Sequence, residues 1–125
     1  MANPNIVNVT TILGNSSLTS LSTANATSIV SNAAGSNNVY KINTIMLANT
    51  EGTNAYSVTV SVYSQAALAG TAFPIASTLS VPADSTVIAL DKATSIYLKE
   101  NQSIGATANT ANTIVVVASW EEISS

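Results

Sequence analysis

Acid–base and nucleophilic catalysis draw on His, Cys, Lys or paired carboxylates with displaced pKa values, and this chain contains no His and no Cys. Without His, a nucleophilic Ser would have to take its base from one of only three lysines, Lys41, Lys92 and Lys99. No G-x-S-x-G elbow presents such a Ser. The six carboxylates do not group by spacing either. Asp84 and Asp91 flank a short β-branched segment, and in Pro82-Ala83-Asp84-Ser85 an Asp bonding the following amides is ordinary turn chemistry. A Ca2+ site takes about six converging oxygens, which loops carrying one Asp each do not provide. Glu121 and Glu122 are adjacent, and neighbouring residues of a strand point to opposite faces, so they form no catalytic pair. They are expected to terminate and solubilise the last strand. The expectation is a protein that is not an enzyme, with no cofactor and no metal.

Aromatics flanked by Asn and Asp are the other chemistry-bearing feature, since such sets bind sugars. Tyr40, Tyr56, Tyr63, Tyr97 and Trp120 come into question. Tyr56 runs in phase with Val58, Val60 and Val62 and belongs at the core or its margin. Tyr63 falls on the Ser/Thr face of the same segment and is the better candidate for an exposed contact. Trp120 shares a face with Ile114 and Val116, as a core anchor or an interface anchor, the core being favoured.

The elements that must carry these residues are strands. Tyr56 to Val62 alternates apolar with Ser and Thr, the period of a strand with one dry face. Ile114 to Trp120 is apolar on both faces and rich in β-branched residues, as in a strand covered twice or lying in a subunit contact. Val39 to Leu47 sets Val39, Lys41, Asn43 and Ile45 against Tyr40, Ile42, Thr44 and Met46. Further strands are expected at 6–13, 16–21, 26–31, 73–81, 86–90, 95–99 and 102–108. Turn signals separate them at Gly14-Asn15, Gly35 to Asn38, Asn49 to Asn54, Gly70, Pro82 to Asp84, Asp91-Lys92, Glu100-Asn101 and Asn109 to Asn112. Gln65 to Ala69 is too short for a helix and reads as an irregular connection. Many short strands joined by polar turns predict a single all-β domain over residues 1–125, an antiparallel β-sandwich of jelly-roll type, with an Ig-like sandwich as the alternative.

Composition narrows the partners. At 125 residues with a net charge of -3, the chain has too few and too scattered lysines for a phosphate-binding stripe, so nucleic acid is not expected. No apolar run approaches the ~20 residues of a membrane-crossing helix. The opening Met1 to Asn5 shows no secretory pattern, and synthesis in a cytoplasm as a soluble chain is expected. The N-x-S/T triplets at Asn8, Asn15, Asn25 and Asn101 are what a chain rich in Asn, Ser and Thr yields by chance. A small aliphatic core gains burial from neighbours, and a weakly charged surface lowers the electrostatic cost of packing copies side by side, so a homo-oligomer is expected.

The first 38 residues carry no charged side chain. They read as a pair of edge strands, or as an arm around residues 1–8 that orders against a neighbouring subunit. The interface candidates are therefore Asn3, Pro4, Asn5, Ile6, Tyr63 and Trp120.

Three stretches together carry a resemblance: Met1-Ala2-Asn3-Pro4-Asn5-Ile6-Val7-Asn8-Val9-Thr10, Val39-Tyr40-Lys41-Ile42-Asn43-Thr44-Ile45, and the tail from Ile75 through Val81-Pro82-Ala83-Asp84 to Ser119-Trp120-Glu121-Glu122-Ile123. Over nearly its whole length the chain resembles the small virion structural proteins of tailed bacteriophages, those of marine myophages in particular. The resemblance implies a many-copy β-sandwich or jelly-roll protein of the virion, with the major capsid protein or other virion proteins as partners. Within that setting the expected role is capsid decoration or cement on the outer head surface, as a homo-oligomer with a trimer favoured. A tail, neck or fibre component with a receptor-binding role is the rival inside phage biology. A carbohydrate-binding module is the rival outside it.

Overall fold

The computed structural model describes residues 4–124. Its strands are β1 (Thr11–Ser20), β2 (Thr27–Asn32), β3 (Asn38–Asn49), β4 (Tyr56–Gln65), β5 (Ala69–Val81), β6 (Thr86–Leu90), β7 (Ile96–Leu98), β8 (Gln102–Ala108) and β9 (Ile114–Ser124), with one 3-10 turn at Lys92–Thr94. They form two antiparallel sheets, one ordered β1-β9-β3-β6 with β7 also paired to β3, the other ordered β2-β8-β4-β5. The first strand pairs with the last, β2 with β8, β3 with β6, and β4 with β5. Such inward-nested pairing is a long hairpin wrapped over itself, the jelly roll, rather than the Ig-like order. The strands expected at 86–90 and 102–108 have those bounds.

The core between the sheets is aliphatic. Leu21, Ile42, Ile45, Leu47, Leu98, Ile104, Ile114 and the valines Val58, Val60, Val81 and Val116 are buried in one cluster with Trp120 at its margin. Two bulges set which residues reach it. On β3 the register with β9 shifts between Ile42 and Thr44, so Tyr40 and Ile42 face inward before Asn43, and Ile45, Leu47 and Asn49 after it. The strict alternation expected for Val39 to Leu47 therefore fails, because an inserted residue reverses the parity of a strand. A shift between Ser28 and Val30 likewise lets the adjacent Ile29 and Val30 both be buried.

Several expected boundaries are corrected. Gly14-Asn15 is no turn: β1 runs unbroken from Thr11 to Ser20 in constant register with β9, and residues 6–10 are not strand. Gly-Asn is turn chemistry only where the chain lacks a partner, and the long apolar β9 provides one here. Gly70 lies inside β5 with φ +76°, where a Cβ would overlap the Ser64 hydroxyl. β9 continues through both glutamates to Ser124, so they do not end it. The connection after β4 is a tight turn and not the irregular stretch expected at Gln65 to Ala69: those two residues pair as strand, the Ala69 amide donates to the Ala66 carbonyl at 3.2 Å, and Ala67 and Leu68 take positive φ.

Two buried asparagines fasten the ends of the sandwich. Asn49 Nδ2 donates to the Asn54 and Val81 carbonyls at 2.9 and 3.0 Å, and its Oδ1 accepts from the Glu51 amide at 2.9 Å. Asn32 Nδ2 donates to the Asn38 and Leu98 carbonyls at 2.9 and 3.1 Å, and its Oδ1 takes the Ser36 hydroxyl. Each amide thereby satisfies a connection that has no ladder of its own.

Candidate assembly surfaces

Among the described residues, besides the exposed Phe73 and Ile75 on β5, three features stand out from an ordinary polar surface: the outer face of the β1-β9-β3-β6 sheet, the edge of β1, and the N-terminal segment. On the outer face, Leu18 lies opposite Val117, Val117 opposite Met46, and Met46 opposite Ile88. These four side chains form a row across all four strands, and Leu18 is 78% and Ile88 57% exposed. Ser20, Val115, Ala48 and Thr86 flank it on one side, and Ser16, Ser119 and Thr44 on the other. No charged residue stands in any of these rows. Large exposed apolar patches of this kind mark sites of association.

The N-terminal segment covers the opposite corner of the same face. Val39 and Ile123 are cross-strand partners that are buried, yet neither belongs to the inter-sheet core. Pro4 and Ile6 line a cavity of about 380 Å3 with Val39, Tyr97 and Lys99. An Asn5-centred turn shapes the segment, with the Val7 amide donating to Asn5 Oδ1 at 3.0 Å and the Asn8 amide to the Asn5 carbonyl at 3.0 Å. Of the expected arm, residues 4–8 thus lie beside their own domain, with Ile6 half exposed and Val7 91% exposed. Asn3 and the rest of residues 1–3 lie outside the described residues. The edge-strand reading of the first 38 residues holds, since β1 and β2 each form one edge of a sheet.

Four of the five aromatic candidates are buried or half-buried in the fold, whereas Tyr97 is 50% exposed at the cavity beside Pro4 and Ile6. Trp120 is 7% exposed and stacks on Tyr40 with ring centroids 6.2 Å apart. Its Nε1 donates to Glu122 Oε2 at 3.1 Å, and the same oxygen accepts from Asn15 Nδ2 at 2.8 Å. Burial, with the Glu122 carboxylate as the lesser cause, pushes the Tyr40 phenol above its ordinary value of 10.0. This cluster anchors β1 to β9 and makes Trp120 a core anchor. Tyr63 is only half-buried rather than freely exposed, because the turn at 66–68 arches back over its face. The Leu68 amide donates to Ser103 Oγ at 2.9 Å, the Ala67 amide to Ser31 Oγ at 3.0 Å, and the Ala66 amide to Asn101 Oδ1 at 3.1 Å. A Cβ on Gly105 would meet Leu68 Cδ2 at 2.7 Å and Tyr63 Cε1 at 3.1 Å, so the absence of a side chain there lets the turn lie flat.

Among the described residues no group of three or more His, Cys, Asp or Glu is placed to hold a metal ion. Asp91 caps the 3-10 turn, accepting from the Ala93 and Thr94 amides at 3.0 and 3.1 Å, which is the role expected of Asp84. No helix among the described residues is long and apolar enough to cross a membrane.

Leu18, Met46, Ile88 and Val117 are the residues that sequence reasoning missed. Splitting β1 at Gly14-Asn15 hid the phase that carries Ile12 and Leu18 to one face. The chain matches no family model, and no curated protein matches its sequence.

Proposed function

We propose that the protein is a structural subunit of a tailed-bacteriophage virion, a decoration or cement protein on the outer head surface that acts as a homo-oligomer with the major capsid protein as its main partner. The observation that carries this reading is the uncharged, apolar row Leu18-Val117-Met46-Ile88 across the outer sheet face. A lattice of capsid subunits offers a broad surface, and a broad sheet face is its geometric counterpart. The jelly roll agrees with it by analogy of fold, an architecture used by capsid and lectin domains alike. The reading assigns the chain no reaction, no cofactor and no nucleic-acid partner, in keeping with the lack of His, Cys and Arg. The protein would be made in the host cytoplasm and reside in the virion.

The test is addition of purified protein to heads that lack it, scored by cosedimentation and by imaging of intact particles. Saturable binding to heads is expected, reduced at least tenfold by Met46→Lys, which puts a charge in the middle of the row. Density on tails, necks or fibres with none on heads would transfer the protein to those structures. A carbohydrate-binding module has less support, since Trp120 is buried and Tyr63 lies half under the 66–68 turn, which leaves Tyr97 as the one exposed aromatic of the five candidates. Glycan binding lost in Tyr63→Ala would revive it.

A further inference from the structure

Among the described residues five strands stand at the edges of the two sheets, β6 and the three-residue β7 sharing one edge, and all but β1 are short or carry devices that discourage further pairing. β5 contains Pro74, pairs with β4 through three register shifts and holds Thr78 at φ +47°. β2 has six residues and a bulge, and β6 has five residues and gives way to a charged 3-10 turn. β1 has none of these. Its ten residues keep constant register with β9, and they include no Pro, no Lys and no other charge.

The direction of its main-chain groups can be read from the ladder. The Leu21 amide donates to the Ile114 carbonyl at 2.9 Å, and antiparallel hydrogen-bonded pairs recur at every second residue. The odd residues of β1 therefore bond to β9, and Ile12, Gly14, Ser16, Leu18 and Ser20 turn theirs to the free edge. The Ser16 amide agrees, donating to the Asn15 side-chain Oδ1 at 2.8 Å.

We infer that this edge pairs antiparallel with the same edge of a second copy, about a two-fold axis through Asn15. Even residues then meet even residues, as hydrogen bonding requires. Gly14 faces Ser16 of the second copy, and Ile12 faces Leu18 of the second copy, each pair occurring twice. Asn15 yields the Ser16 amide to the Gly14 carbonyl of the second copy. About eight main-chain hydrogen bonds form over the four pairs. This register is chosen by the outer face. Within one chain Ile12 lies opposite Ile123, and Ile123 opposite Val39. The row Ile88-Met46-Val117-Leu18 of one copy therefore runs on into Ile12-Ile123-Val39 of the other. Shifting the axis to Ser16 would set Leu18 against Gly14 and break the row. The occupant is a second copy because the edge has the same even-residue geometry on both sides and brings no like charges together. The two five-stranded sheets become one. A two-fold contact gives a dimer, in place of the trimer that the sequence resemblance suggests.

The test uses the full chain in solution. Light scattering should give twice the mass of the chain at micromolar concentration. Leu18→Lys, at a site exposed in the monomer, should give a folded monomer by circular dichroism. Ile12→Glu with Leu18→Lys puts opposite charges across the axis and should restore the dimer. The chain has no Cys, so Asn15→Cys should crosslink to itself under mild oxidation. Ser20→Cys, about 30 Å from its own copy in this register, should not. A monomer at all concentrations, a trimer, a dimer indifferent to Leu18→Lys, or crosslinking of Ser20→Cys without Asn15→Cys would overturn the inference. Head binding is read separately: a dimer that ignores heads removes the decoration reading alone, and a monomer that binds heads removes this contact alone.

Discussion

Replacing Asn49 by Ala should be among the most damaging single changes in the molecule. The side chain is 3% exposed and makes three hydrogen bonds of 2.9–3.0 Å, which join the end of β3 to the loop before β4 and to the end of β5. Removing it strands the Val81 carbonyl in a buried position, at a cost of about 2 kcal/mol, within the range for an unmade buried bond. The Asn54 carbonyl and Glu51 amide are part-buried and reach water more readily, so together they add about 1–2 kcal/mol. The sum, about 3–4 kcal/mol, is a large share of the ~5–15 kcal/mol that holds a domain folded. With a urea slope of about 1.5 kcal/mol/M, the unfolding midpoint should fall by about 2–2.7 M. Trp120 is the single tryptophan and sits at the core margin, so its fluorescence reports the transition. Protein concentration must be held fixed, because association shifts midpoints. Asn25→Ala, at an exposed turn, is the control and should stay within about 0.5 kcal/mol of the parent. A midpoint loss under about 0.5 M for Asn49→Ala would refute the view that its amide fastens that end of the sandwich.

Ala67 sits at φ +57°, and its amide bonds to Ser31 Oγ, an interaction that glycine keeps. Ala67→Gly should raise stability by about 0.5–1 kcal/mol in the same urea assay, the usual gain when a Cβ leaves the left-handed region. The raised pKa of Tyr40 has a definite sign: its stabilising share is complete below the ordinary phenol value of 10.0 and is lost as pH climbs through the higher folded value. Ultraviolet titration should show a phenol step above 10.0 that is lost in Tyr40→Phe, with stability falling in that alkaline window. Glu122→Gln should move that late step down without bringing it back to 10.0, because burial, the larger cause, remains.

Much of the fold was legible because strand faces are written locally. Tyr56 to Val62 alternates and is a strand whose Val58 and Val60 are buried. Thr86 to Leu90 and Gln102 to Ala108 are bounded by turn residues and begin and end where those residues put them. Trp120 in phase with Ile114 and Val116 is likewise a local statement, and all three are buried. The failures are equally physical. Asn43 is inserted opposite β9 and reverses the parity of β3, and no residue type marks a bulge of that kind in the sequence. Tyr63 lies on a face that would be wet in an open sheet, and only the return of Ala66 to Leu68 over Gly105 covers it.

By itself, then, the sequence determined the strand class, the aliphatic core and the absence of His and Cys. Periodicity and composition are properties of neighbouring residues, and they survive without knowledge of partners. Tertiary structure alone decided that Leu18, Val117, Met46 and Ile88 stand in one row, and that β1, among the described residues, pairs on one side only. Those facts depend on which strands pair and in what register, over separations of up to about a hundred residues between β1 and β9. A one-residue slip in such pairing would send every one of these side chains to the other face.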